Sequence, residues 1–201
     1  MHKNYERYTS CDYRKLNVKG IGYYLYRKLP DTVLIPLIQT FKKKKVLEVG
    51  IGGGFYTGFF LGNQCLVTGV DINPHLGKHL GLKIIMTTAD DFSRFFPGKP
   101  FDVVASFWMT EYLSLGELEK FFKEALAVLD ERGFFMTTII ENKGLGKFYT
   151  LLSGLKKIQK FCYAERNFLS FLSPHSVTVK KLKGRFGLSF AYLVCVQKRS
   201  S

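Results

Sequence analysis

The chain has 201 residues, of which 46% are hydrophobic and 23% charged, so extensive disorder is excluded. An excess of 30 Lys and Arg over 16 Asp and Glu gives a net charge of +14, which attracts phosphates, anionic lipid or an acidic substrate. No apolar run approaches the roughly 20 residues of a membrane-spanning helix. The four cysteines lack metal-ligand spacing, which predicts reduced thiols in a cytoplasmic protein without a metal site.

The sequence pattern of residues 1–41 predicts a helical segment that precedes the main fold in the chain and caps it. Pro30 interrupts an aromatic and basic stretch. Asp31 and Thr32 are suited to cap a short apolar helix, predicted over Val33–Phe41.

Residues 42–142 predict an alternation of short strands and helices. The five predicted strands are Val46–Val49, Cys65–Val70, Leu82–Met86, Phe101–Phe107 and Gly133–Ile140. One intervening helix opens at Asn73-Pro74, and an amphipathic helix spans Leu115–Leu129. Strands that alternate with helices form a parallel sheet with helices on both of its faces.

The C-terminal region has a different pattern. A strand that begins at Val177–Val179 and a longer one over Leu188–Val196 predict an antiparallel hairpin at one edge of the sheet. We therefore predict an α/β fold, a doubly wound, mostly parallel seven-stranded sheet with an antiparallel C-terminal hairpin. No internal repeat divides the chain, so we predict a single domain with an N-terminal cap (1–41), a core (42–142) and a lid-like basic segment with the hairpin (143–201).

A glycine-rich turn follows the first predicted strand, in the sequence Val46-Leu47-Glu48-Val49-Gly50-Ile51-Gly52-Gly53-Gly54-Phe55. Glycines let the backbone turn sharply and let a ligand approach closely, and the next helix offers free N–H groups. A dinucleotide fingerprint that starts at Gly50 needs glycine at position 55, where Phe55 stands. A carboxylate at Glu48 would repel a phosphate but favours a cationic ligand, by direct contact or by ordering the loop.

S-adenosylmethionine is such a ligand, since it carries a sulfonium and an ammonium but no phosphate. Over residues 42–142 the chain resembles class I (Rossmann-like) S-adenosylmethionine-dependent methyltransferases. The resemblance implies that the glycine loop holds the methionine part of the cofactor, that Asp71 binds the ribose hydroxyls and that Asp90-Asp91 lies near the adenine amino group. Phe101-Asp102-Val103-Val104 begins the fourth strand as it does in the family. The implied cofactor-binding residues are Glu48, Gly50, Gly52, Gly54, Asp71, Ile72, Asp90, Asp91 and Phe107.

Each acidic residue of this set also has a simpler structural interpretation. Glu48 could be a hydrogen-bonded carboxylate at the end of a strand. Asp71 could cap a helix, although Asn73 is better placed for that role, and Asp90 or Asp91 could cap the next turn. The order of all the motifs along the chain favours the cofactor-binding interpretation.

Methyl transfer from a sulfonium is an in-line displacement, so the protein mainly supplies alignment and desolvation. The segment Thr110-Glu111-Tyr112-Leu113 resembles a family loop that faces the methyl donor and often reads L-E-H, here with Tyr112 in place of the histidine. Glu111 and Tyr112 are therefore the candidate catalytic residues, and Trp108 is a candidate pocket wall. Core packing of Trp108 and Tyr112, and capping of the next helix by Glu111, are the alternatives.

The acceptor class follows from what the loop after the fourth strand lacks. Enzymes that methylate exocyclic amines of nucleobases resemble one another in an N/D/S-P-P-Y/F/W element, whereas this chain reads Ala105-Ser106-Phe107-Trp108. No cysteine lies near for pyrimidine C5 chemistry. A small-molecule or lipid-like acceptor is favoured, and an RNA-modifying methyltransferase or a non-catalytic S-adenosylmethionine-binding protein are the alternatives.

A basic amphipathic stretch, Gly144–Phe161, and the aromatic residues of 21–29 could form a lid over an apolar acceptor. They could equally form core and a solvated face that carries lysines such as Lys147 and Lys160. The basic excess predicts a partner, either RNA or an anionic membrane surface to which the protein binds peripherally. A solvated face that only aids solubility is the alternative.

Overall fold

The structure, a computed structural model, describes residues 26–73, 80–98, 100–155, 159–173 and 175–198. The helices within these ranges are α1 (Lys28–Gln39), α2 (Phe55–Gly62), α3 (Leu115–Ala127), α4 (Gly144–Leu155) and α5 (Arg166–Leu169). The strands are β1 (Lys45–Val49), β2 (Leu66–Asp71), β3 (Lys83–Met86), β4 (Phe101–Ser106), β5 (Leu129–Ile140), β6 (Ser176–Lys183) and β7 (Ser189–Gln197).

Within the described residues, seven strands form one sheet in the order β3-β2-β1-β4-β5-β7-β6. The first five strands pair in parallel, whereas β7 is antiparallel to both β5 and β6. Helices α1, α2 and α4 pack on one face of the sheet, and α3 and α5 pack on the other. This arrangement confirms the predicted doubly wound sheet with an antiparallel hairpin at one edge.

The strand order reverses between β1 and β4, because the chain runs outward to β3 in one direction and to β6 in the other. Ligands of open α/β sheets bind in the crevice beyond the carboxyl ends of the strands at such a switch point. The loops that follow β1, β2 and β4 therefore surround the natural position for a site.

The first helix differs from its prediction at both ends. Helix α1 begins at Lys28 instead of Val33, and Pro30 lies in its first turn. Proline is tolerated there because that turn has no intrahelical partner for an N–H. Asp31 and Thr32 therefore lie within the helix and do not cap it. Arg27, the residue that precedes the helix, makes no side-chain cap either.

The boundary between α3 and β5 was also misplaced by the sequence pattern. Helix α3 ends at Ala127, and β5 begins at Leu129 instead of Gly133. The exposed polar segment 130–132 lies in the register shift between the Leu129 and Phe134 pairs with β4, so it has no apolar signal to detect. The buried face of α3 is as predicted, with Leu118, Phe121, Phe122 and Ala125 inside. The helix predicted from Pro74 and the N-terminal segment 1–25 lie outside the described residues.

Candidate cofactor and acceptor site

The loop between β1 and α2 has a backbone that favours glycine. Gly50, Gly52 and Gly54 have φ values of +75°, +53° and +75°, in the left-handed region that other residues rarely adopt. The Gly50 N–H donates to the Val70 carbonyl over 2.7 Å, and the Gly54 N–H donates to Ile51 over 2.9 Å. These bonds fold the loop into a tight turn against the end of β2.

The three glycines differ in what surrounds them. A Cβ on Gly50 would lie 2.5 Å from Cγ of Met109, and a Cβ on Gly54 would lie 2.4 Å from Cδ1 of Leu80. A Cβ on Gly52 would meet no atom within 4 Å. Packing therefore favours glycine most strongly at position 50, where the Met109 side chain would be displaced near its base. At position 54 only the end of the Leu80 side chain would have to move, and Gly52 borders open space that a side chain would fill. This open cradle at the end of β1 fits a bound group.

Asp71, at the end of β2, is almost fully buried and connects two turns. Its Oδ2 accepts from the Gly52 N–H over 3.1 Å, and its Oδ1 accepts from the Asn73 N–H over 2.9 Å. Burial raises the pKa of Asp71, against the effect of these backbone donors. A carboxylate oxygen can accept more than one hydrogen bond, so Asp71 can still bind hydroxyl groups. That role, and a contact through the half-buried Ile72, stay predictions.

Glu48 is buried in β1, where its Oε2 accepts from the Thr57 hydroxyl over 2.7 Å. Burial raises the pKa of Glu48 to about 8; the Thr57 hydrogen bond opposes this shift, and the charge of Asp71 adds to it. Because Thr57 lies in the first turns of α2, Glu48 fixes the start of that helix against β1. This contact supports the loop-ordering interpretation, and direct contact with a cationic ligand stays a prediction.

The remaining predicted cofactor residues have distinct surroundings. Asp91 forms an exposed ion pair with Arg94 over 2.8 Å, whereas Asp90 is half-buried. Neither caps the next turn, a 3-10 helix preceded by Phe92 without a side-chain cap, so that alternative is wrong. The buried Phe107 ring packs 4.6 Å from the ring of Tyr56 in the core. The cofactor contacts of Asp90, Asp91 and Phe107 stay predictions.

The loop after β4 covers the glycine loop, since Met109 lies against Gly50. Two hydrogen bonds attach this loop to β5. The Trp108 N–H donates to the Thr138 hydroxyl over 2.7 Å, and the Thr110 hydroxyl donates to the Thr138 carbonyl over 2.6 Å. Trp108 itself has a φ of +58°, which is unusual for a bulky residue. The loop thus keeps a strained turn next to the cofactor cradle.

Glu111 lies on this loop and is buried in an ion pair. Its Oε1 is 3.1 Å from Nζ of Lys160 and also accepts from the Tyr149 hydroxyl over 3.2 Å. Its Oε2 is buried without a hydrogen-bond partner among the described residues. Ser114 caps α3 in a capping box with Glu117, so the interpretation of Glu111 as a helix cap is wrong.

The sequence pattern placed Lys160 either on a lid or on a solvated face. The structure shows that this lysine is not on a solvated face. Only 8% of its side chain is exposed, against 4% for Glu111. Burial lowers the pKa of Lys160, but the charges of Glu111 and Tyr149 outweigh this effect, and the net shift is upward. The ammonium lies 4.9 Å from the ring centroid of Tyr112, which therefore packs against a cation.

A second polar cluster beside the loop was not predicted. The Tyr56 hydroxyl accepts from Nη2 of Arg27 over 3.1 Å and from Nε1 of Trp108 over 2.5 Å, and donates to Asp31 over 2.5 Å. The guanidinium carbon of Arg27 lies 5.4 Å from the ring centroids of both Tyr56 and Trp108. The aromatic and basic pattern of residues 21–29 was the one sequence signal for this cluster.

Two absences apply to the described part of the chain. No group of His, Cys, Asp or Glu side chains there could hold a metal ion. Among the described helices, none has the length and apolar character needed to cross a membrane.

Residues 47–137 match the model of a family described as a methyltransferase domain. No curated protein matches the sequence. Several solved structures match the fold. One is an O-methyltransferase family protein from Burkholderia thailandensis, with a TM-score of 0.69 and 14% identity, over 86% of this chain. This chain spans 57% of that protein's length.

Two further structures match with a bound product of the cofactor. The N-methyltransferase NodS from Bradyrhizobium japonicum WM9, in complex with S-adenosyl-L-homocysteine, has a TM-score of 0.70 and 12% identity, and 96% of each chain is covered. The 1,6-didemethyltoxoflavin-N1-methyltransferase from B. thailandensis holds both 1,6-didemethyltoxoflavin and S-adenosylhomocysteine. Its TM-score is 0.63 at 15% identity, over 85% of this chain and 77% of that one. Identities this low establish likeness of fold.

Proposed function

We propose that this chain, whose residues 47–137 match the model of a methyltransferase domain, is an S-adenosylmethionine-dependent methyltransferase of class I and methylates a small-molecule or lipid-like acceptor. The cofactor supplies an activated methyl group on a sulfonium. The residues suited to hold it are those of the open cradle: Gly52 beside the methionine part, Asp71 at the ribose hydroxyls and Glu48 behind the loop. The similar structures crystallised with S-adenosylhomocysteine support S-adenosylmethionine as the cofactor.

The observation that carries the acceptor proposal is the contact between Met109 and Gly50. It brings the loop after β4 onto the cofactor loop, so an acceptor next to the methyl group must lie beside Trp108 and Glu111. This place is bordered by Tyr149 of α4 as well. Side chains of the loop after β4 and of α4 thus border the proposed acceptor position, where they would contact a compact acceptor or one end of a long one. The 1,6-didemethyltoxoflavin-N1-methyltransferase, which holds 1,6-didemethyltoxoflavin, offers a precedent for a compact acceptor.

The chain's own residues would align the acceptor and exclude water, as an in-line displacement requires. Glu111 is the group best suited to touch the acceptor. Its Oε1 is engaged by Lys160, while its buried Oε2 can accept a hydrogen bond from an acceptor N–H or O–H. Tyr112 packs against Lys160, so we assign it to the wall of the site instead of to proton transfer.

Transfer of label from methyl-labelled S-adenosylmethionine tests the proposal. The protein is incubated separately with pooled small molecules, total lipids and total RNA, and the label in each fraction is counted. We expect label in the small-molecule or the lipid fraction, and much less of it with an Asp71→Ala variant at a cofactor concentration below saturation. Label in an RNase-sensitive product would establish the RNA alternative. Cofactor binding without transfer to any fraction would support the non-catalytic alternative.

A further inference from the structure

Helix α4 presents an apolar face to solvent. Phe148 is 51% exposed, Leu151 is 65% exposed and Leu152 is 37% exposed. Leu151 and Leu152 follow Phe148 by three and four residues, so all three lie on the same side of the helix. Scattered apolar residues are ordinary on protein surfaces, whereas a contiguous group on one helix marks an interaction surface.

The opposite face of α4 is fixed to the sheet. A Cβ on Gly146 would lie 2.2 Å from the Glu141 carbonyl oxygen and 2.6 Å from that of Phe190, so the helix backbone packs directly on β5 and β7. Tyr149 packs 5.5 Å from the Phe190 ring and donates to Glu111. The helix therefore cannot turn its exposed face inward without breaking these contacts.

Basic residues accompany the apolar face. Lys143 precedes α4 and Lys147 lies in its first turn, and both are exposed. The chain as a whole carries a net charge of +14. A helix with large apolar side chains on one face and lysines beside them is the arrangement by which peripheral proteins bind anionic lipid surfaces.

We propose that the face of α4 formed by Lys147, Phe148, Leu151 and Leu152 docks on an anionic membrane surface. RNA is disfavoured as the occupant because leucine side chains do not stack on bases, and two of the three exposed apolar residues are leucines. Tyr149, on the inner side of the same helix, contacts Glu111 at the acceptor loop. Docking would thus place the acceptor side of the enzyme at the lipid surface. This inference rests on the proposed function, and of the two acceptor classes proposed there it selects the lipid-like one.

Vesicle flotation of the full chain at near-physiological salt tests this proposal. Vesicles of phosphatidylcholine alone are compared with vesicles that also contain phosphatidylglycerol. We expect binding to the anionic vesicles, and a Leu151→Glu variant should lose about tenfold or more of it because a carboxylate enters the apolar face. Leu66→Glu is the matched control, since Leu66 is 70% exposed in β2, on the other side of β1 from the strands that carry α4, and its variant should bind as the wild type does.

A charge-reversal pair covers the case in which Leu151→Glu does not fold. Lys147→Glu should weaken binding to anionic vesicles, and Lys83→Glu, at an exposed position at the start of β3, should not. Equal losses in each test variant and its control would overturn the proposal, because binding would then reflect net charge alone. Absence of vesicle binding would overturn it too, as would an RNA complex that dissociates with added salt while vesicles do not bind. Calorimetry with S-adenosylhomocysteine reports separately on the proposed function.

Discussion

The proposed cofactor side and the proposed acceptor side of this molecule are constructed in different ways. On the cofactor side, hydrogen bonds join residues close in the chain: Glu48 and Thr57 are 9 residues apart, and Gly52 and Asp71 are 19 apart. On the acceptor side, Glu111 meets Tyr149 across 38 residues and Lys160 across 49. The first region is a property of one β-α-β unit, whereas the second depends on how separate segments meet. Acceptor specificity can therefore change without rebuilding the cofactor cradle.

Lys160→Met should produce the largest effect, because it tests whether long-range contacts hold the acceptor side together. It leaves the Glu111 carboxylate buried without its partner, and loss of one member of a buried ion pair costs about 3–5 kcal/mol. We expect that loss in the free energy of unfolding, measured by denaturant titration.

A double variant provides the internal control for this prediction. Adding Glu111→Gln to Lys160→Met removes the uncompensated charge and should restore much of the lost stability. A Lys123→Met variant, which removes an exposed ion pair with Glu119, should lose less than about 1 kcal/mol. Similar losses for Lys160→Met and Lys123→Met would contradict a structural role for the buried pair.

Two glycine substitutions test the cofactor side and should separate stability from binding. Gly50→Ala forces a left-handed backbone on alanine, at about 1–2 kcal/mol, and also displaces Met109. Gly52→Ala carries the same backbone strain without a neighbour to displace, but its methyl enters the cradle. We expect the lower melting temperature for Gly50→Ala. The Gly52→Ala variant should lose affinity for S-adenosylhomocysteine beyond what its small change in stability explains. Unchanged affinity in Gly52→Ala would place the cofactor elsewhere.

Asp71→Ala tests the predicted ribose contact. Hydrogen bonds to a charged group contribute about 1.5–3 kcal/mol each, so calorimetry should report at least about tenfold weaker S-adenosylhomocysteine binding. The fold should survive, with some loosening of the glycine loop because the Gly52 N–H loses its acceptor. Asp130→Ala, at an exposed position in β5, is the control. Equal affinities of a folded Asp71→Ala and the wild type would refute the assignment.

A pH dependence of stability follows from the burial of Glu48. Since burial raises the pKa of Glu48 from 4.5 to about 8, the folded apoprotein keeps a proton that the unfolded chain releases between these values. The stabilisation is complete below pH 4.5, and the free energy of unfolding falls as the pH rises towards about 8. Glu48→Gln should flatten this decline, and Glu131→Gln should not. A decline that persists unchanged in Glu48→Gln would assign it to another group.

The same contrast explains what the sequence could predict. Hydrophobic periodicity located all seven strands of the described sheet, and the run of glycines predicted the sharp turn after β1, because both are local signals. The capping role of Ser114 and the true start of α1 were missed, since short polar residues and a proline are compatible with several positions in a first turn. The burial of Lys160 could not be predicted, because a lysine among other lysines has the pattern of a solvated face. Its partner lies 49 residues away.

The turn at Trp108 has a practical consequence for finding the acceptor. Trp108 is the only tryptophan in the chain, and its ring stacks 5.6 Å from that of Phe190 while its indole N–H donates to Tyr56. Indole emission excited away from tyrosine absorption therefore originates entirely from the acceptor loop. A compound that enters beside this loop changes the polarity around the indole and shifts that emission. Libraries of candidate acceptors can be screened optically in this way, on unlabelled protein and without turnover.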